Sequence, residues 1–128
     1  MSLKDQLQVM VVDDTSTSRA LIVQALEWMG IRNIVVENDG DKAFRALSAR
    51  PVHLVISDYN MPGADGLALL EGLRRNRLTQ KIGFILVTGK ADEQVLKRGQ
   101  SLGMNNYITK PFEPQAMQAC IERVVGRL

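Results

Sequence analysis

Three aspartates, a threonine and a lysine stand where apolar runs give out. Asp13 and Asp14 follow the run 9–12, Asp58 follows the run 52–56, Thr88 follows 84–87, and Lys110 follows 106–109. If these runs are strands of one parallel sheet, their ends share the carboxyl edge, where α/β proteins bind ligands. Three carboxylates crowded there repel, and one is pushed toward protonation unless a cation intervenes. An all-oxygen set suits Mg²⁺, which takes one or two carboxylates, keeps waters and accepts a phosphate oxygen. Asp58 is then a candidate nucleophile, since carboxylates form aspartyl-phosphates. The Thr88 hydroxyl and the Lys110 ammonium would bind the remaining phosphoryl oxygens, so that catalysis is positioning and electrostatics with little acid–base work. Singly, each residue has a plainer explanation: Asp13 or Asp14 as a helix cap, Asp58 as a cap before Pro62-Gly63, Thr88 as a strand end, Lys110 as surface. Five such residues all at strand ends is the signal.

The elements that must position them alternate. Continuous apolar runs suit strands buried on both faces. These are 9–12, 34–36, 52–56, 84–87 and the shorter 106–109. Between them lie helical stripes. Ile22, Ala25, Leu26 and Met29 follow Thr15, Ser16 and Thr17, whose hydroxyls can cap, and Gly30 stops the helix. Ala43, Phe44 and Leu47 mark a second helix, closed before Pro51. Asp65 can cap a third with Leu67, Leu70 and Leu73. Val95, Gly99 and Leu102 line a fourth. Pro114 opens a last helix with Met117, Ile121 and Val124 inward. Five βα units with short connections imply a parallel sheet covered on both sides. No linker, repeat or low-complexity tract interrupts residues 1–128, which read as one domain.

Composition narrows the function. A net charge of +2 with scattered Lys and Arg gives no nucleic-acid footprint, and pairs such as Arg74-Arg75 and Lys97-Arg98 read as solvated helix faces. No run approaches a membrane span, the N-terminus lacks a signal-peptide core, and the lone Cys120 allows no internal disulfide, all of which fit a cytoplasmic protein. Cys120 reads as a packed side chain, and His53, the only histidine, as a mid-strand packing residue. Trp28 reads as half-buried on the first helix.

Together these residues resemble the response-regulator receiver domains, most nearly the single-domain chemotaxis regulators among them. The resemblance runs from Val9 to the last helix. It rests on Val11-Val12-Asp13-Asp14, on Ser57-Asp58-Tyr59-Asn60-Met61-Pro62, on Asp65-Gly66, on Val87-Thr88-Gly89, and on Tyr107 with Lys110-Pro111-Phe112. It implies a flavodoxin-like (βα)₅ three-layer sandwich with strand order 2-1-3-4-5. It implies Asp58 as phosphoacceptor, Mg²⁺ held by Asp14 and Asp58 directly, by Asp13 through water and by the Asn60 carbonyl, and a cis Lys110-Pro111 bond. Thr88 and Tyr107 are implied as the switch pair that reshapes the face of the fourth helix, fifth strand and last helix. Lys90 and Gly89 lie at the rim, where with Asn60 they would tune the phosphoryl lifetime. The implied phosphodonor is a phosphohistidine on a sensor histidine kinase. The implied target is the flagellar motor switch, with a phosphatase as a further partner and a monomer as the working form.

Two other readings compete. A phosphate sink or relay step uses the same residues without a motor target. An enzyme reading is disfavoured on two counts. An aspartyl phosphatase wants an acid two residues past the nucleophile, where Asn60 stands. A flavin carrier would find Asp13-Asp14 repelling its phosphate. The chain is therefore expected to be a switch that catalyses its own phosphorylation and dephosphorylation. It ends at Leu128 directly after the last helix, so its output is expected to be a separate protein.

Overall fold

A computed structural model describes residues 2–89 and 92–128. The chain runs α1 (Leu3–Gln6), β1 (Gln8–Val12), α2 (Ser16–Trp28), β2 (Asn33–Glu37), α3 (Gly40–Ala49), β3 (Leu54–Asp58), α4 (Gly66–Arg75), β4 (Gly83–Thr88), α5 (Glu93–Leu102), β5 (Asn106–Thr109), α6 (Pro114–Val125). All strand pairings are parallel and the order is β2-β1-β3-β4-β5, a flavodoxin-like sheet flanked by helices. Among the described residues no helix is long and apolar enough to cross a membrane.

The strand side chains alternate between two cores, which is why the central runs are apolar throughout. Val9, Val11, Leu54, Ile56, Ile85 and Val87 face Ile22, Leu26, Met117 and Ile121 of α2 and α6. Met10, Val12, Val55, Phe84 and Leu86 face Leu47, Leu67, Leu70 and Leu73 of α3 and α4. Each fully buried aliphatic side chain contributes roughly 1.5–3 kcal/mol by leaving water, so the central strands are fixed in register. β2 is the loose edge: Val35 and Val36 are about half exposed.

Helix ends follow local chemistry. Asp39, Asp65 and Asp92 each accept a first-turn amide, from Lys42, Ala68 and Gln94 respectively. Gly30, at φ +92°, ends α2 in the left-handed conformation that favours glycine. The hydroxyl of Thr15 does not cap α2; Thr15 instead donates its own amide to the Asp13 carboxylate.

Several expectations shift. The third strand spans Leu54–Asp58 rather than 52–56, because the Asp58 backbone still pairs with Val87 in the ladder. His53 therefore lies before the strand, exposed, with its Nδ1 accepting the Gln8 amide at 2.9 Å. Trp28 is 57% exposed rather than half-buried. The short α1 was not anticipated. Arg75 is a solvated cation beside Glu71, but Arg74 is not. Its guanidinium donates to the carbonyls of Gln80, Ile82 and Gly103 and to Asn105 Oδ1. It thereby joins α4 to the start of β4 and to the turn before β5.

Gly66 is required by space. A Cβ there would lie 2.5 Å from the Asp58 carbonyl oxygen and 2.9 Å from Leu86 Cδ1. Gly66→Ala should cost about 3 kcal/mol, the upper range for overpacking, because the obstructing atom is backbone. Urea unfolding measures it, and the same shift should impair any chemistry at Asp58.

Candidate functional site

Register places two of the carboxylates before their side chains are considered. Val9 sits beside Leu54 and Val11 beside Ile56. Two residues further along the same offset, Asp13 comes beside Asp58. Both continue rows that face α2 and α6, since side chains alternate. Asp13 is fully buried and Asp58 is 6% exposed, whereas Asp14 is exposed. Asp13, Asp14 and Asp58 each present an oxygen within 4.8 Å of the others.

The first turn of α2 holds Asp13 rigidly. The Thr15 amide donates to Oδ1 at 2.9 Å, the Ser18 hydroxyl to Oδ2 at 2.5 Å, and Arg19 Nη1 to the carbonyl at 2.8 Å. From the far side comes Lys110, whose backbone N–H donates to the Thr88 carbonyl at 2.9 Å. Its Nζ lies 3.0 Å from Asp58 Oδ1 and 3.8 Å from Asp13 Oδ2, and donates to Ser18 Oγ at 2.8 Å. The Lys110-Pro111 bond is cis, as the resemblance implied.

Burial is the largest influence on Asp58 and pushes its carboxyl above the ordinary value. Repulsion from Asp13 and Asp14 adds to it, and the hydrogen bond and charge of Lys110 oppose it. Fully ionised, three carboxylates and one ammonium leave a charge of −2. That residue of charge, on a hard oxygen-only set, matches a divalent cation such as Mg²⁺.

The structure thus brings together Asp13, Asp14, Asp58 and Lys110. Thr88 is buried at the end of β4, one residue beyond the Val87 that pairs with Asp58. Asn60 is exposed in the loop after β3, and a Cβ on the exposed Gly89 would meet nothing within 4 Å. Tyr107, on β5 opposite Leu86, is 37% exposed. Lys90 lies outside the described residues. Sequence reasoning missed Ser18 and Arg19. The available signal was a hydroxyl and a guanidinium within one turn and a half of the paired acids. An open, mainly apolar groove of about 710 Å³ between α2 and residues 110–114 reaches Ser18 and Lys110, with Leu21, Trp28 and Phe112 in its wall.

Cys120 faces the core of α6, its Sγ 3.5 Å from the Tyr107 carbonyl oxygen, and burial pushes its thiol up to about 11. Iodoacetamide at pH 8 should therefore leave the folded protein unlabelled and label it in urea, as intact mass will report.

A parallel sandwich with an acidic cluster and an ammonium at the carboxyl edge defines a class: small α/β domains built to handle phosphoryl groups on an aspartate. Residues 9–122 match the family model described as the response regulator receiver domain. The protein named "Probable chemotaxis protein CheY" from Rhizobium etli is 41% identical over 128 residues, covering all of this chain and 99% of that protein. The phosphate regulon transcriptional regulatory protein PhoB of Pseudomonas aeruginosa is 34% identical over 119 residues, which cover 93% of this chain but 52% of that protein. The same fold occurs in the receiver domain of the sensor histidine kinase PA1611 from Pseudomonas aeruginosa, with a TM-score of 0.84 at 23% identity over 94% of this chain and 98% of that one. That receiver's structure holds a magnesium ion in its active-site cleft. The chain belongs to the response-regulator receiver family. Its aspartate cluster is of the self-phosphorylating, self-dephosphorylating kind typical of receivers rather than that of a turnover enzyme.

Proposed function

We propose that this chain is a single-domain phospho-switch in which Asp58 accepts a phosphoryl group from a sensor histidine kinase. The observation that carries it is the Asp58 carboxylate, buried beside two further acids and 3.0 Å from the Lys110 ammonium. An Asp58 oxygen attacks phosphorus, the new O–P bond forms as the P–N bond to the donor imidazole breaks, and the imidazole takes up a proton from solvent. Asp14 and Asp58 would hold Mg²⁺ directly, Asp13 through water, and the Asn60 carbonyl would complete the protein's share. When bound, the ion neutralises phosphoryl oxygens and aligns them for in-line attack. Lys110 and Thr88 bind the transferred group's remaining oxygens. The Thr88 hydroxyl meets a phosphoryl oxygen only in the phosphorylated state, which is the differential contact a switch needs. Tyr107 then turns inward and alters the face of α5, β5 and α6. Asn60 and Gly89, with Lys90 next in the sequence, set how long the group lasts.

The output reading is the flagellar motor switch, on the strength of full-length similarity to a protein with a chemotaxis name. The working form is a cytoplasmic monomer, with a phosphatase as an additional partner. A phosphate sink or relay receiver is the second reading, since receivers also occur in a transcriptional regulator and a kinase. Acetyl phosphate with Mg²⁺ should add one phosphoryl group by intact mass, and no gain would overturn the reading. A pull-down of the motor switch protein with and without beryllofluoride separates the two outputs, since a sink binds it in neither state.

A further inference from the structure

We propose that Ser18 is a positioning residue for this site. Its hydroxyl holds Lys110 where a divalent cation must work against it, and so sets both metal affinity and the alignment of Lys110 during transfer. The inference rests on the reading of Asp58 as a metal-assisted phosphoacceptor.

A serine hydroxyl has one proton to give and can accept in return. Here the proton goes to Asp13 Oδ2 at 2.5 Å, and the oxygen receives Lys110 Nζ at 2.8 Å. The chain Lys110 to Ser18 to Asp13 is polarised in one sense, so each bond strengthens the next. The oxygen is well fixed, because α2 is fastened to Asp13 by the Thr15 amide and by Arg19 as well. Lysine is a long, flexible point charge. With the Asp58 contact alone, its tip could swing toward solvent, to which the side chain is 31% exposed. Ser18 supplies the second anchor that stops this. Lys110 and Asp13 stand 3.8 Å apart, a separation the Ser18 oxygen bridges.

Removing that oxygen acts in opposite directions on two measurable steps. The ammonium is held less firmly in the acidic pocket and competes less with a cation, and Asp13 Oδ2, freed of its donor, becomes a better acceptor for metal-bound water. Metal binding tightens. Lys110 is then less well aligned on the phosphoryl oxygens, and transfer slows. A merely structural role would weaken both steps or neither.

The test titrates Mg²⁺ by calorimetry into the full chain as wild type, Ser18→Ala and Ser18→Thr, and measures the initial rate of mass gain from acetyl phosphate at saturating Mg²⁺. Ser18→Ala should bind Mg²⁺ about fivefold more tightly and accept phosphoryl about tenfold more slowly, the scale of one ordinary hydrogen bond. Ser18→Thr keeps the hydroxyl and should restore both. If Ser18→Ala matches wild type in both measurements, or weakens both, the inference is overturned. A wild type that neither binds Mg²⁺ nor gains mass overturns the parent reading, and this one with it.

Discussion

Asp58→Asn is expected to take phosphoryl uptake from acetyl phosphate below detection while raising the melting temperature of the metal-free protein. The first effect follows because the amide oxygen is a poor nucleophile and no other acid has this environment. Asp13 is fully buried with both oxygens already accepting chain donors, and Asp14 is exposed. The second follows from the raised carboxyl of Asp58, with burial as its main cause. In the unfolded chain the group ionises near its ordinary value of 3.8, whereas in the fold it holds its proton to higher pH. Stability therefore falls as pH rises from that value through the raised one, and the penalty is constant above it. Asparagine removes the penalty. The variant should match wild type at the acid end and exceed it at pH 7, read as a higher Tm. Mg²⁺ should erase the difference by stabilising wild type. A variant that still gains mass would refute the assignment, and equal melting at pH 7 without metal would refute the electrostatic account.

Lys110→Ala is expected to separate phosphorylation from its consequence. Lys110 is the ammonium facing Asp58, and without it the pocket goes from −2 to −3 when ionised. Removing one partner of a buried pair costs about 3–5 kcal/mol, and the partial exposure of Lys110 brings this to about 1–2 kcal/mol in the apoprotein. Mg²⁺ should recover more stability in this variant than in wild type, because a competing charge has gone. Acetyl phosphate should still modify Asp58, since the carboxylate and the metal set remain. The α5–β5–α6 face should no longer respond. Beryllofluoride should shift the amide resonances of residues 93–109 in wild type and leave them in place in the variant. A wild-type pattern of shifts in Lys110→Ala would remove the lysine from the switch.

Much of this arrangement was legible in the chain because an apolar run followed by an acid is a pattern with few solutions. Residues 9–12 and 84–87 had to be interior strands, and a parallel sheet then put Asp13, Asp58 and Lys110 on one edge. The boundary of β3 was misplaced because a polar side chain was taken to end a strand, whereas Asp58 keeps its backbone in the ladder. His53 falls outside because the apolar Val52 does not open the strand, whose ladder begins at Leu54. Ser18 looked like another hydroxyl in a cluster near a helix start, and its partner Lys110 is 92 residues away; local pattern cannot reveal such a pairing. Arg74 looked like half of a solvated basic pair. Its acceptors, Asn105 Oδ1 apart, are backbone carbonyl oxygens, which every sequence has and none advertises.

Those carbonyls give the molecule two unlike poles. At the acidic pole, protonation, magnesium and ionic strength all alter the forces between groups. At the Arg74 pole the cation is held by neutral oxygens of residues 80, 82, 103 and 105. These do not titrate, and dipoles this close are little screened by electrolyte. Conditions that loosen the signalling end should leave the opposite end braced, a fixed pivot against which any rearrangement of α5 and β5 takes place.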